Sequence, residues 1–369
     1  MKPEGKHKKI AKVKINNFSR YDLSLLGFTS DFSKLSTDLS KLIVSNHNIC
    51  IVDKINNKAS GYISIIGSRG VHKVINPKTV HEHDFRIEAE KHDLAIINGD
   101  HFASYHGIIY CDSQTENVLK TKVQNIEHVS AIILGDVNKP FDWLSNALEQ
   151  NLNDIPIIQA KQLPDHIETI LKNNIPTLSG IVLAGGKSQR MGEDKSQMVY
   201  HELNQEKHLA TLLSKCSITP YISKQYIEEK GGQFDIIPDS FMDLGPLGAI
   251  CSCFLKLRNH ALLVIACDLP LVNMDTIELL IKNRRPDKYA TCLKSQNKDF
   301  PEPLIAIYEP KSFQRLMQFL SIGYSCPRKF LINTDVHIIE IDNDDYIMNV
   351  NTPEERKDAL DKIKNANEQ

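Results

Sequence analysis

Gly180-Ile-Val-Leu-Ala-Gly-Gly-Lys-Ser-Gln-Arg-Met-Gly-Glu-Asp-Lys195 decides how this chain of 369 residues is read. Gly180 to Ala184 is a short apolar run rich in branched side chains, the pattern of a buried strand. The run breaks at Gly185-Gly186, where an unhindered backbone turns sharply and presents its N–H groups to an anion. Arg190 and Lys195 add cationic donors to the same stretch. A guanidinium grips phosphate through two parallel bonds, and an ammonium acts as a mobile point charge. Triphosphate binding wants this combination. The spacing is neither the Walker pattern GxxxxGK[ST] nor the dinucleotide pattern GxGxxG.

Working outward, Phe234 to Pro238 and His260 to Cys267 read as further strands, with helices over Leu247 to Leu257 and Met274 to Asn283. Strands alternating with helices predict a mostly parallel α/β sheet flanked by helices, with ligands at the carboxyl ends of its strands. The first half has the same rhythm. Strands are expected at Leu23 to Gly27, Asn48 to Asp53, Asp93 to Asn98, Gly107 to Cys111, Ala131 to Gly135 and Ile155 to Gln159. Helices are expected over about Ser33 to Val44 and Pro164 to Lys172. The polar, proline-containing stretch from Lys172 to Thr177 reads as a linker, giving an α/β chain of two domains, 1–176 and 177–369.

Composition limits the functional classes. Hydrophobic residues at 41% and charged residues at 24% are those of a soluble globular chain, which excludes a disordered tail protein. The net charge of −2 provides no single-sign field to steer nucleic acid or a membrane surface. No apolar run approaches the roughly 20 residues of a spanning helix. Met1 to Lys14 is lysine-rich without the apolar stretch of a secretory signal, and reads as a solvated arm. The eight cysteines are irregularly spaced, and Cys251 and Cys253 lack CxxC spacing, so a cytoplasmic protein with reduced thiols is expected.

Five segments then occur in one order. They are Leu183-Ala-Gly-Gly-Lys-Ser-Gln-Arg-Met-Gly-Glu-Asp-Lys195, Pro238-Asp-Ser240 with Leu244-Gly-Pro-Leu-Gly248, Ala266-Cys-Asp-Leu-Pro270, Pro303-Leu-Ile-Ala-Ile-Tyr308 and Asn349-Val-Asn-Thr-Pro-Glu354. Residues 178–365 thereby resemble nucleotidyltransferases of the molybdenum cofactor guanylyltransferase type. The resemblance implies a Rossmann-like nucleotidyltransferase domain that uses Mg²⁺ and GTP. Its expected reaction transfers GMP to the terminal phosphate of molybdopterin and releases pyrophosphate. It further implies that Leu183, Ala184, Gly185, Gly186, Ser188, Arg190, Lys195, Asp239, Gly245 and Asp268 bind nucleotide. Arg190, Lys195 and Asp268 would be catalytic, Asp268 would hold the metal, and Asn349 and Asn351 would meet the second substrate. Ser223 stands where the family places a loop asparagine. In this family Ala-Gly-Gly, as in Ala184-Gly185-Gly186, goes with GTP, and Ala-Ala-Gly marks the cytidylyl relatives.

The residues have plainer readings too. Asp268 ends the strongest apolar strand, where a hard carboxylate oxygen suits Mg²⁺, an ion that takes one or two carboxylates and fills its shell with phosphate and water. An aspartate before Pro270 also caps turns. Asp239 is either a nucleoside contact or a strand-end cap. Asn351-Thr-Pro-Glu354 is also a good helix start with proline at the first helical position, and both roles are compatible. Two rivals remain open: a nucleotidyltransferase with a different base or acceptor (molybdopterin cytidylyl or sugar phosphate), and a non-catalytic nucleotide-binding scaffold.

Residues 20–175 resemble, more weakly, the P-loop accessory protein of molybdopterin guanine dinucleotide synthesis. The likeness rests on element order, on Asp93-Leu-Ala-Ile-Ile-Asn-Gly99 and on Ile155-Pro-Ile-Ile158. The Walker position reads Gly27-Phe-Thr-Ser-Asp-Phe-Ser-Lys34. Phe32 replaces the second glycine, Ser33 stands where lysine belongs, Lys34 comes one residue late and Asp31 brings negative charge. A bulky ring and a carboxylate both oppose a phosphate nest. This degenerate P-loop half is therefore expected not to hydrolyse GTP. Its expected role is structural support, cofactor handling or docking of molybdoenzymes or their chaperones. His81-Glu-His83, His101 and His106 lie in polar stretches without a cysteine partner and read as solvated surface rather than a metal site.

Overall fold

Apolar runs of the first half become neighbouring strands in the computed structural model, which describes residues 21–28, 49–57, 60–67, 72–75, 91–185, 195–226 and 232–367. The chain divides into two compact units, Met1–Asn173 and Asn174–Gln369. In the first, β1 (Asp22–Leu26), β2 (Ile49–Asn57), β3 (Ser60–Gly67), β4 (His72–Ile75), β5 (Leu94–Asn98), β6 (Ser104–Cys111), β7 (Ile126–Leu134) and β8 (Ile157–Ile158) form one sheet. Its order is β4-β3-β2-β5-β1-β6-β7-β8. From β2 to β8 neighbours run parallel. β2, β3 and β4 form an antiparallel ribbon that the apolar-run reading does not anticipate. Helices α1 (Glu116–Lys122), α2 (Leu144–Ala147) and α3 (Leu163–Asn173) accompany the sheet. On α3, Leu163, Ile167, Ile170 and Leu171 share one helical face and pack with Leu23, Leu25, Ile96 and Ile133 of the sheet. Each such side chain contributes about 1.5–3 kcal/mol by leaving water.

The second unit holds β9 (Leu178–Leu183), β10 (Thr219–Lys224), β11 (Asp235–Pro238), β12 (Ala261–Ala266), β13 (Ala290–Ser295), β14 (Glu302–Tyr308) and β15 (His337–Ile341). Their order is β11-β10-β9-β12-β14-β13-β15. β11, β10, β9 and β12 are parallel, whereas β14 runs antiparallel to both of its neighbours. The helices are α4 (Gln205–Lys215), α5 (Gly245–Lys256), α6 (Met274–Lys282), α7 (Ser312–Ser321), α8 (Pro327–Ile332) and α9 (Pro353–Asn367). All six residues of β12 are buried, because helices cover both faces. Leu262 and Val264 pack with Leu247 and Phe254 of α5, while Leu263 and Ile265 pack with Leu209 and Leu213 of α4 and Ile277 of α6. Gly180 lets α4 lie close to β9, since a Cβ there would sit 2.7 Å from Leu213 Cδ1.

The expected α/β architecture of two mostly parallel, helix-flanked sheets is therefore present. The segment Thr219–Lys224, which holds Ser223, is strand β10, its Ile222 buried in the α4 face of the core. His106, read as solvated surface, is packed between rings: it stacks on Tyr21 at 4.7 Å and meets His128 edge-on at 5.2 Å. Burial pushes its pKa down to about 4. His101 is exposed. The expected helix over residues 33–44, the degenerate loop at 29–34 and His81-Glu-His83 lie outside the described residues. Among the described residues no helix is long and apolar enough to cross a membrane. None of the eight cysteines forms a disulfide.

Candidate functional site

Register sets the site. Leu183 pairs with Ala266, so the chain leaves β9 and β12 side by side at the carboxyl edge of the sheet. The Cys267 N–H donates to the Leu183 carbonyl at 3.2 Å, and Asp268 follows at once. Lys195 opens a short 3-10 turn, Lys195–Gln197. Its Nζ donates to Asn351 Oδ1 at 2.6 Å and lies 3.9 Å from Asp268 Oδ2. The Val350 N–H donates to the Asp268 carbonyl at 2.8 Å. Three segments far apart in the chain thus meet, with 156 positions separating Lys195 from Asn351.

Asn351 is held there by the start of α9. The Glu355 carboxylate accepts the N–H groups of Asn351 at 2.6 Å and Thr352 at 3.0 Å, while Thr352 Oγ1 accepts the Glu355 N–H at 3.2 Å. This reciprocal cap satisfies amides that a helix start would otherwise leave open. Asn351-Thr352-Pro353-Glu354 is thus the start of a helix, and Asn351 Oδ1 still reaches Lys195.

The electrostatics are unusual at Asp268. Its Oδ1 is buried and has no hydrogen-bond partner among the described residues. Burial raises the pKa of the carboxyl, and Lys195 and its own backbone N–H pull it back. Asn349 Oδ1 is likewise buried without a partner. Two orphaned hard oxygens on adjoining segments suit a magnesium ion better than a hydrogen-bonded core does. Among the described residues no group of three or more His, Cys, Asp or Glu is poised to hold a metal. Glu302, at the start of β14, is 4% exposed. Its pKa is raised by burial, and the Asp268 charge raises it further. Its contacts are the Leu304 N–H at 3.2 Å and Arg328 at 4.0 Å. The sequence reading passed over it; its signal was a carboxylate between two prolines at the mouth of an apolar strand.

Toward β10 and β11 the residues serve a different face of the site. Asp239 follows β11, its N–H donating to the Lys224 carbonyl at 2.9 Å. Burial raises its pKa, and the Ser223 hydroxyl donating at 3.3 Å opposes that. Ser223, which stands where the resemblance places a loop asparagine, is 1% exposed and its hydroxyl meets Asp239. Leu183 and Ala184 are buried, and Ala184 spends its N–H on the Ser223 carbonyl. Gly185 is exposed, and a Cβ there would meet nothing nearer than 3.8 Å. Gly245 opens α5 at φ +58°, with free space around it. Gly248, one turn on, lies so near the preceding turn that a Cβ would fall 2.6 Å from the Phe241 carbonyl. Gly186, Ser188 and Arg190 lie outside the described residues.

Residues 180–335 match the family model of the MobA-like NTP transferase domain. A molybdenum cofactor biosynthesis bifunctional protein from Synechocystis sp. is 34% identical over 181 residues, covering 48% of this chain and 52% of that protein. The chain thus spans about half the length of that relative. A probable molybdenum cofactor guanylyltransferase from Clostridium perfringens is 30% identical over 198 residues, 50% of this chain and 96% of that protein. Among solved structures, the molybdopterin-guanine dinucleotide biosynthesis protein A from Archaeoglobus fulgidus covers 51% of this chain and 99% of its own, with 19% identity and a TM-score of 0.44.

Proposed function

The chain belongs to the MobA-like NTP transferase family, and we propose that it transfers GMP from GTP to the terminal phosphate of molybdopterin, releasing pyrophosphate. A terminal phosphate oxygen of the acceptor attacks the α-phosphorus, and the bond from that phosphorus to the bridging oxygen breaks. Its electron pair leaves with pyrophosphate. No covalent enzyme intermediate is required, so the chain's task is positioning and charge neutralisation. Lys195 faces the triphosphate, aided by Arg190 from the same loop. Asp239, oriented by Ser223, accepts from the nucleoside, and Gly185 lets backbone approach the phosphates. Asn349 and Asn351 hold the acceptor. Asp268 and Asn349 offer the oxygens that would hold Mg²⁺, which when bound offsets phosphate charge as a Lewis acid. The 1–176 domain serves docking or cofactor handling without hydrolysing GTP.

The observation that carries this reading is Lys195 reaching Asn351 at 2.6 Å and Asp268 at 3.9 Å at once, which joins a nucleotide lysine, a metal carboxylate and an acceptor asparagine. The test is thermal shift with Mg²⁺ and GTP, CTP, ATP or UTP. Selective stabilisation by GTP, lost in Lys195→Ala and kept in Lys34→Ala, is expected. A preference for CTP would move the reading to cytidylyl transfer, and no response to any nucleotide would replace it with a scaffold.

A further inference from the structure

Among the described residues no side chain or amide aims Asp268 through Oδ1, which has no hydrogen-bond partner there. Its direction must come from the backbone that carries it, and that backbone is gripped at three successive carbonyls. Asp268 O takes the Val350 N–H at 2.8 Å, Leu269 O takes Gln205 Nε2 at 3.4 Å, and Pro270 O faces His201 Nε2 at 3.1 Å. A carbonyl only accepts, so His201 carries its proton on Nε2. The ring is held flat against His208, centroids 3.7 Å apart and planes 10° from parallel. Burial pushes the His208 pKa down to about 4, and the charges of His201 and Lys215 lower it further. The stack therefore holds the His201 ring in place against a largely neutral His208. Gln205 is wholly buried in the first turn of α4, its own N–H donating to the Met198 carbonyl at 2.8 Å.

Both side-chain braces come from the stretch that Lys195 begins. The Lys195–Gln197 turn leads to the bridge between Val199 and Asn204, and Gln205 opens α4 directly after it. We infer that His201 and Gln205 are positioning residues, fixing the Cys267–Pro270 turn so that the Asp268 carboxylate is presented to the metal in step with Lys195. This rests on the proposed role of Asp268 as a metal carboxylate. Neither residue touches substrate; each acts through a peptide carbonyl.

The test measures Mn²⁺ binding by electron paramagnetic resonance in the presence of a non-hydrolysable GTP analogue, alongside the Mg²⁺ concentration for half-maximal activity. The wild type is compared with Asp268→Asn, His201→Phe and His201→Gln. Loss of one hydrogen bond corresponds to roughly a fivefold change. His201→Phe, which keeps a ring for the stack, is expected to weaken Mn²⁺ binding about fivefold and to raise the Mg²⁺ requirement equally. His201→Gln restores a donor at similar reach and should recover most of the loss, which a general packing defect would not allow. Gln205→Leu provides a second loss independent of the stack. Wild-type Mn²⁺ binding in both His201→Phe and Gln205→Leu, with binding abolished in Asp268→Asn, would overturn the inference and leave Asp268 standing. Unchanged binding in Asp268→Asn would instead remove the metal reading on which it rests.

Discussion

Replacing Asp268 with asparagine should stabilise the metal-free protein while removing its activity. Asp268 Oδ1 is buried without a partner among the described residues, and Lys195 lies 3.9 Å from Oδ2, beyond hydrogen-bond reach. A buried polar group left unsatisfied costs about 1–3 kcal/mol, and more when charged. Part of that returns through the lysine, so Asp268→Asn, which keeps the volume and removes the charge, should gain about 1 kcal/mol. For a unit of this size that is roughly 2–4 °C in thermal midpoint. The pH dependence has a definite sign. The folded carboxyl has a pKa above its ordinary 3.8, so its cost is absent below that value and enters as pH rises through the folded pKa. The advantage of Asp268→Asn should therefore shrink as pH falls toward 3.8 and grow as pH rises above it. Urea unfolding followed by far-ultraviolet circular dichroism, with chelator present, measures it. Trp143 lies in the first unit and its fluorescence serves as an internal control. GMP transfer should fall at least a hundredfold, roughly the scale of losing one electrostatic catalytic group. If the variant is less stable than wild type by 1 kcal/mol or more at neutral pH, the carboxylate is held by contacts and the reasoning fails.

Arg284 grips the fully buried Glu309 through two bonds, 2.7 and 2.9 Å, and donates to the Pro176 carbonyl at 2.9 Å. Arg284→Met should cost about 3–5 kcal/mol in urea unfolding, much of it recovered by adding Glu309→Leu. Gly248→Ala drives a Cβ onto the Phe241 carbonyl and should cost about 1–3 kcal/mol, read as a lower thermal midpoint. His208 stays neutral in the fold down to about pH 4, while in the unfolded chain it protonates below 6.5. Stability should fall as pH drops from 6.5 toward 4, and His208→Gln should flatten that slope in a pH series of denaturation curves.

Local pattern carried most of the strands and helices into view. β9 and β12 are apolar runs with abrupt ends, and the α6 cap is visible as Asn273, whose side chain accepts the Thr276 N–H at 3.0 Å. The β3–β4 ribbon escaped because Ser64 interrupts the apolar residues of β3, glycines flank them, and β4 is only four residues long. The reversal of β14 was hidden too, since an apolar strand reads the same in either direction. Asp268 stands out in the sequence as a carboxylate where an apolar run stops, and Lys195 and Asn351 stand out within their motifs, but their meeting is a product of topology. The Ser223–Asp239 contact was not legible for a local reason: a serine in a polar-looking hexapeptide gives no sign that its hydroxyl turns inward. His201 and Gln205 sit in an unremarked polar stretch, and their roles depend on carbonyls 69 and 64 positions away.

The bond between Lys195 and Asn351 makes the two proposed substrates thermodynamically dependent on each other. A lysine held by an asparagine offers fewer donors to a triphosphate, and an asparagine holding a lysine offers less to a pterin phosphate. Whichever ligand arrives first bears the cost of separating them, and the other then finds its partner already released. Linkage requires the benefit to be equal in both directions. A hydrogen bond to a charged group is worth about 1.5–3 kcal/mol, so it caps the mutual gain in affinity at roughly ten- to a hundredfold. The cap that Glu355 makes at the start of α9 is then a determinant of nucleotide affinity, although it touches no nucleotide.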